Sequence, residues 1–235
     1  MATFVLIPGA GSDGWYWHLV VPELVARGHA AIPVDLPSGD DAAGLAEYAD
    51  AAEDAIGPGE HDDLVLVAQS MGAFTAPLVC DRRPVSLMVL VAAMVPAPGE
   101  SPGEWWANTG FEDARRAAGA AEGWDPTDWD PATLFLHDVP PEVAAGMNEH
   151  AHEQSGTPFE NPWPLVAWPD VPTRFLLCRQ DRFFPADFQR RVVRERLGIV
   201  PDEMDGGHLP ALHSPVEVAS RLDAYAAELL PPPTP

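Results

Sequence analysis

The sequence predicts an α/β fold: a mostly parallel central sheet with helices on both faces. Two observations predict it. Short apolar runs at Thr3–Ile7, Leu64–Val67, Val85–Val91 and Thr173–Cys178 lack polar alternation, as strands buried on both faces do. They are separated by segments of helical pattern, the arrangement that places helices on both sides of a parallel sheet. A third observation locates the chemistry. In Val65-Leu66-Val67-Ala68-Gln69-Ser70-Met71-Gly72 a strand stops at a serine flanked two residues either side by Ala68 and Gly72. A strand turning straight into a helix through one strained residue needs such small neighbours, because the two backbones approach closely there.

The totals bound the rest. A chain of 235 residues with 46% hydrophobic residues is long enough for one domain with a large core. No run approaches the ~18 to 20 apolar residues that span a bilayer. Met1 to Ile7 has no basic n-region, so the chain is expected to begin directly in the fold and to be cytoplasmic. The net charge is −23, and all 13 basic residues are arginine. Such a field repels nucleic acid and anionic membranes, so neither is an expected partner. Cys80 and Cys178 sit in no metal or redox spacing and read as reduced core thiols.

In order along the chain, Thr3–Ile7 leads into Pro8-Gly9-Ala10-Gly11-Ser12-Asp13-Gly14, a loop whose glycines allow close approach of backbone N–H groups to a ligand. No Gly-Lys-Ser/Thr closes it, which argues against a phosphate cradle. Trp15–Arg27 reads as a helix capped by Gly28, and His29–Pro33 as a strand. Leu45, Tyr48, Ala49, Ala52 and Ile56 recur at helical spacing within an acidic surface segment, 35–63. Met71–Arg82 reads as a helix kinked at Pro77. Residues 1–95 and 172–230 are assigned to a core domain and 96–171 to an inserted lid of short helices rich in tryptophan. A helix over Asp187–Leu197, a strand near Ile199–Glu203 and a final helix over Pro215–Leu230 follow, and the proline-rich tail 231–235 is expected to be disordered.

Three residues fall after strand ends in the order Ser70, Asp181, His208, where functional groups of such sheets collect. A serine hydroxyl needs an adjacent base, imidazole suits that task, and a carboxylate on the far ring nitrogen fixes its tautomer. Alone, Ala-Gln-Ser-Met-Gly could be a helix N-cap. His213 is the alternative base, and His18, near the glycine loop, reads as structural. His137, Asp138, Glu142, His150, His152 and Glu153 lack a His-Glu-x-x-His spacing, so no metal and no cofactor is expected.

Pro8 to Trp17 with Gly14-Trp15-Tyr16-Trp17, Ala68 to Gly72, Asp181 to Pro185 followed by Phe188-Gln189-Arg190, and Gly206 to Pro210 together resemble the small lidded α/β-hydrolases. Within them the chain is most similar to the branch of plant methylesterases and hydroxynitrile lyases and its bacterial relatives. The resemblance implies an α/β-hydrolase fold with a helical lid, a Ser70–His208–Asp181 triad and oxyanion donors at the backbone N–H groups of Ala10 and Met71. The lyases carry a lysine after the catalytic histidine and a threonine in the oxyanion loop, where this chain has Leu209 and Gly9. Hydrolysis of a small, fairly apolar ester or lactone is therefore expected, with a lyase, an acyltransferase or a silent ligand-binding member as alternatives. Gly9, Met94, Trp105, Trp106, Trp129 and Leu209 are the expected pocket residues, with Phe111, Leu134 and Met147 as further candidates. The oligomeric state stays open, a homodimer included.

Overall fold

A computed structural model describes residues 1–229 except Glu60, Asp62 and Asn148. Leu230 and the expected disordered tail, 231–235, lie outside the described residues. Six strands, β1 (Thr3–Ile7), β2 (Ala30–Pro33), β3 (Leu64–Gln69), β4 (Leu87–Val91), β5 (Thr173–Cys178) and β6 (Asp202–Met204), form one sheet in the order β2-β1-β3-β4-β5-β6. Every pairing is parallel, with Val5 opposite Leu66 and Ile7 opposite Ala68 at the centre.

The period of 2 along each strand divides the core into two. Val5, Ile7, Leu64, Leu66, Met88 and Leu90 face one side, where they pack with α2 (Leu45–Ile56), α3 (Ala76–Cys80) and α9 (Ala186–Leu197). Phe4, Leu6, Val65, Val67, Leu87 and Val89 face the other, against α1 (Val20–Ala26) and α11 (Pro215–Leu229). The middle strands are covered on both faces, which is why their sequences read as unbroken apolar runs.

Several elements depart from the sequence reading. Trp15–Arg27 is not one helix: Gly14–Trp17 is a 3-10 turn and α1 begins only at Val20. Asp13 accepts the Trp15 N–H at 2.9 Å and Asp35 accepts the Gly14 N–H at 2.8 Å, which sets a tight turn there. That turn buries Tyr16 and Trp17 in the core while Trp15 stacks between His18 and His150. Met71–Arg82 also divides, into a 3-10 turn over Ser70–Phe74 and α3, with Pro77 in the first turn of the new helix. The missing proline N–H costs nothing there, so the expected kink becomes a helix restart. The last strand starts later than expected, at Asp202, and α10 (Pro210–His213) was not foreseen.

Between β4 and β5 the chain forms α4 (Pro102–Asn108), α5 (Phe111–Glu122), α6 (Pro131–Leu134), α7 (Pro141–Met147) and α8 (Thr157–Glu160). Tryptophans fasten this insertion to the core: the Trp105 indole donates to Val95 O at 3.0 Å and that of Trp163 to Phe74 O at 3.2 Å. Its first turn is pinned by the buried Glu100, which accepts from Arg196 and, at 2.9 Å, from Asn108. Burial pushes the Glu100 carboxyl up, but the hydrogen bonds and charge of Arg196 outweigh it and hold its pKa below 4.5.

A carboxyl whose folded pKa is depressed contributes stability that is present above its unfolded value and lost as pH falls through the folded one. Glu100→Gln should therefore lower stability near neutral pH by roughly 1 kcal/mol or more. The gap to wild type should narrow as pH falls below 4.5, as urea unfolding at a series of pH values would show.

Candidate active site

Strand order reverses between β1 and β3, and a crevice opens where the loops after these two strands diverge. Ser70 follows β3 directly with φ 50°, a left-handed conformation that strains a residue with a Cβ. The β1 loop lies against it with no space to spare. A Cβ on Gly72 would stand 2.6 Å from Pro8 O, and one on Gly9 would stand 2.4 Å from Gln69 Oε1. A second strained residue, Ala92 (φ 43°), turns the chain at the end of β4. Two residues later the Met94 N–H donates to Ser70 O at 3.0 Å, fastening the strained residue to the neighbouring strand.

The other two candidates converge on it from β5 and the loop after β6. His208 Nδ1 lies 2.8 Å from Asp181 Oδ2, and His208 Nε2 lies 3.1 Å from Ser70 Oγ. With the proton on Nδ1, the ring donates to Asp181 and accepts the serine hydroxyl, which is the arrangement a general base requires. Asp181 is held in turn: its Oδ1 accepts the N–H groups of Phe183 and Phe184, each at 2.8 Å, and Gln189 Nε2 lies 3.4 Å from Oδ2. The Gln69 amide donates to His208 O at 3.1 Å, tying the histidine loop to the residue before Ser70. Phe135, Phe183 and Phe184 enclose the imidazole, with centroids 5.5, 5.0 and 4.9 Å away, and keep water from it.

Sequence reasoning named Gln189 only as part of a motif and missed the part played by Gln69. An amide one turn into an amphipathic helix carries no signal of its own. Gln69 gave a weak one: a polar side chain at the end of an otherwise apolar strand.

Met71 lies in the first turn of the 3-10 helix, where N–H groups lack partners within the helix. The Ala10 N–H has no acceptor among the described residues. Both belong to the loops that flank Ser70, where developing negative charge on a substrate oxygen would need donors.

Above them is a cavity of about 270 Å³ lined by Trp15, Tyr16, Met71, Met94, Trp106, Phe135, Met147, Phe159, Phe183, Leu209 and Leu212, with Gly9, Ser70 and His208 at its floor. Gly9, Met94, Trp106 and Leu209 are thus placed where the sequence reading put them, and Met147 joins them. Trp105 and Trp129 are not. Trp105 is buried against Phe184 and Phe188, below the cavity wall. Trp129 is half exposed on the outside of the insertion, over the guanidinium of the buried Arg115 at 4.0 Å. Phe111 and Leu134 are core residues outside the lining as well. Adjacent tryptophans on a helix point in different directions, and only the packing of the insertion decides which one meets the cavity.

His213 touches Ser214 Oγ at 2.8 Å and lies 3.5 Å from Asp138, away from Ser70. Burial pushes its pKa below 6.5 against the opposing charge of Asp138. His150 and His152 both face Asp13, at 3.4 and 2.9 Å. Burial raises the Asp13 carboxyl, and the His152 and Trp15 hydrogen bonds more than offset it, leaving its pKa lowered. Among the described residues, no three His, Cys, Asp or Glu side chains are placed to hold a metal ion, and no helix is long and apolar enough to cross a membrane.

A family model described as the alpha/beta hydrolase family matches residues 4–221. The chain belongs to that family. This alpha/beta hydrolase is 25% identical to methylesterase 7 of Arabidopsis thaliana over 258 residues, covering 95% of this chain and 97% of that one. It is 23% identical over 270 residues to norfluorocurarine synthase 1 of a Strychnos species, covering 97% and 96%. Among solved structures, polyneuridine aldehyde esterase superposes with a TM-score of 0.80 at 19% identity, covering 96% of this chain and 99% of that one.

The backbone strain at Ser70 predicts a difference between two substitutions. Ser70→Gly should raise stability relative to Ser70→Ala by about 1 kcal/mol, because only glycine adopts this φ without cost. Thermal unfolding of the two variants would measure the difference.

Proposed function

We propose that this alpha/beta hydrolase is a serine carboxylesterase acting on a small, fairly apolar ester or lactone. The observation that carries the reading is the unbroken hydrogen-bond chain Asp181–His208–Ser70, which ends beneath an aromatic cavity. Ser70 Oγ attacks the ester carbonyl carbon as His208 Nε2 takes its proton. Asp181 stabilises the imidazolium that forms, and the N–H groups of Ala10 and Met71 receive the oxyanion. His208 returns the proton to the leaving alcohol, and a water, deprotonated by the same ring, releases the acid from the acyl-enzyme.

The cavity supports the substrate class. Apart from Ser12, Gln69, Ser70, His150 and His208, its lining is mainly apolar and aromatic, and it contains no arginine. A net charge of −23 further disfavours an anionic substrate. Leu209, next to His208 on the cavity wall, offers no charge to stabilise a departing cyanide, which speaks against a cyanohydrin lyase. The insertion over 96–171, which contributes Trp106, Phe135, Met147 and Phe159 to the lining, acts in this reading as the lid. The names of the relatives, an esterase and a methylesterase among them, agree with ester chemistry.

Hydrolysis of short nitrophenyl and methyl esters should fall by about 10⁴-fold or more in Ser70→Ala, and by about 10⁴-fold in Asp181→Asn, which leaves the imidazole in the wrong tautomer. A fluorophosphonate should label Ser70 in the wild type, as peptide mapping would show. Turnover that survives in Ser70→Ala would refute the assignment, and ester products formed from an added alcohol would indicate acyl transfer in place of hydrolysis.

A further inference from the structure

The loop that carries Ala10 is held at its ends by the core. β1 fixes its start, and Asp35, through the Gly14 N–H, fixes its end. Its middle is held by the insertion instead. The Gly11 N–H donates to Gln154 Oε1 at 2.9 Å, and the His152 N–H donates to Gly11 O at 3.0 Å, so both polar groups of this one peptide residue are bound by one segment of the insertion. The approach is close: Gly11 has φ 64°, and a Cβ on it would stand 3.1 Å from His152 O.

Gln154 is itself immobilised. Its Nε2 donates to Tyr48 Oη and to Ser155 O, each at 3.0 Å, and the Ser155 N–H donates to Ser38 O at 2.7 Å. Every hydrogen-bonding group used on this amide therefore has one role: Nε2 fixes the side chain to α2 and to its own backbone, and Oε1 is left to receive Gly11.

We propose that Gln154 is a positioning residue for the oxyanion hole, a role that rests on the esterase reading above. The nitrogen of Gly11 belongs to the peptide plane that leaves Ala10, so its hydrogen bond holds Ala10 from the C-terminal side. The packing of Gly9 on Gln69 holds it from the N-terminal side. Between these restraints the Ala10 N–H is aimed without an internal acceptor. Losing the Gln154 acceptor would free the plane after Ala10 to rotate, and a hydrogen-bond donor works on an oxyanion only within a narrow geometry. The insertion would then do more than roof the cavity: it would complete the catalytic floor.

Gln154→Leu keeps the volume and removes the acceptor, while Gln154→Glu keeps an acceptor for Gly11. The expected result is a kcat about ten-fold lower in Gln154→Leu with KM within about two-fold, since a donor removed outright costs ~10² to 10³ and this one is only misaimed. Affinity for a boronic acid, which forms a tetrahedral adduct with the serine, should fall in parallel. Gln154→Glu should recover part of both losses, because its carboxylate accepts the Gly11 N–H and the Tyr48 O–H but no longer donates to Ser155 O. Tyr48→Phe, which removes the hydroxyl that accepts from Gln154 Nε2 and keeps the ring, should reduce kcat in the same direction by about three-fold and serves if Gln154→Leu does not fold.

An unchanged kcat in the folded Gln154→Leu or Tyr48→Phe protein would overturn the proposal. So would a kcat loss with boronic acid affinity intact, or a loss explained by lower thermal stability alone. A wild type whose ester turnover equals that of Ser70→Ala would instead refute the esterase reading, and this proposal with it.

Discussion

The structure depends on how closely the first loop and the β3 elbow approach each other. At Gly72 and Gly9 the distance leaves no room for a methyl group, and at Ser70 the backbone is forced into a left-handed turn. These are one constraint seen from two strands. β1 and β3 are parallel neighbours in register, Ile7 opposite Ala68, so the loops that leave them start side by side. Bringing both close enough to face one cavity requires glycine on each and strain at Ser70. The hydrogen bond from the Met94 N–H to Ser70 O and the full burial of β3 and β4 hold that strain in place.

Around this centre, the buried carboxylate and imidazole are paired with each other. Asp181 has backbone donors on Oδ1 and side-chain donors on Oδ2, and His208 is enclosed by phenylalanine rings with Asp181 and Ser70 as its ring partners. A carboxylate excluded from water is tolerated only with such partners, and the low local dielectric strengthens its hold on the imidazole. The same pattern recurs at the base of the insertion, where Glu100 and Arg196 form a sheltered pair, and inside it, where Arg115 donates to the carbonyls of Pro126 and Asp128. The large negative charge therefore belongs to the exterior and leaves the interior balanced.

The insertion reaches the candidate site from two sides. Asp138 accepts the Gly207 N–H at 2.5 Å, one residue before His208, and Gln154 accepts the Gly11 N–H, one residue after Ala10. Both loops that present functional groups are thus anchored to a segment that also forms the cavity wall. Cavity shape and loop geometry become coupled through this one segment.

Local pattern alone determined much of this protein. Unbroken apolar runs marked the buried parallel strands, and the small residues around Ser70 marked the turn, because sterics at a strand-to-helix turn act within five residues. The chain order of Ser70, Asp181 and His208 was legible for the same reason: each follows a recognisable strand or glycine loop. Tertiary structure decided the rest. The split of Trp15–Arg27 into two pieces depends on Asp35, and Trp105 turns into the core while Trp106 meets the cavity, because the packing of the insertion rather than helix period sets the direction. Gln69 and Gln154 do their work across separations of 139 and 143 residues. A hydrogen bond between distant segments leaves no period or spacing in the sequence, so their partners became visible only once the chain was folded.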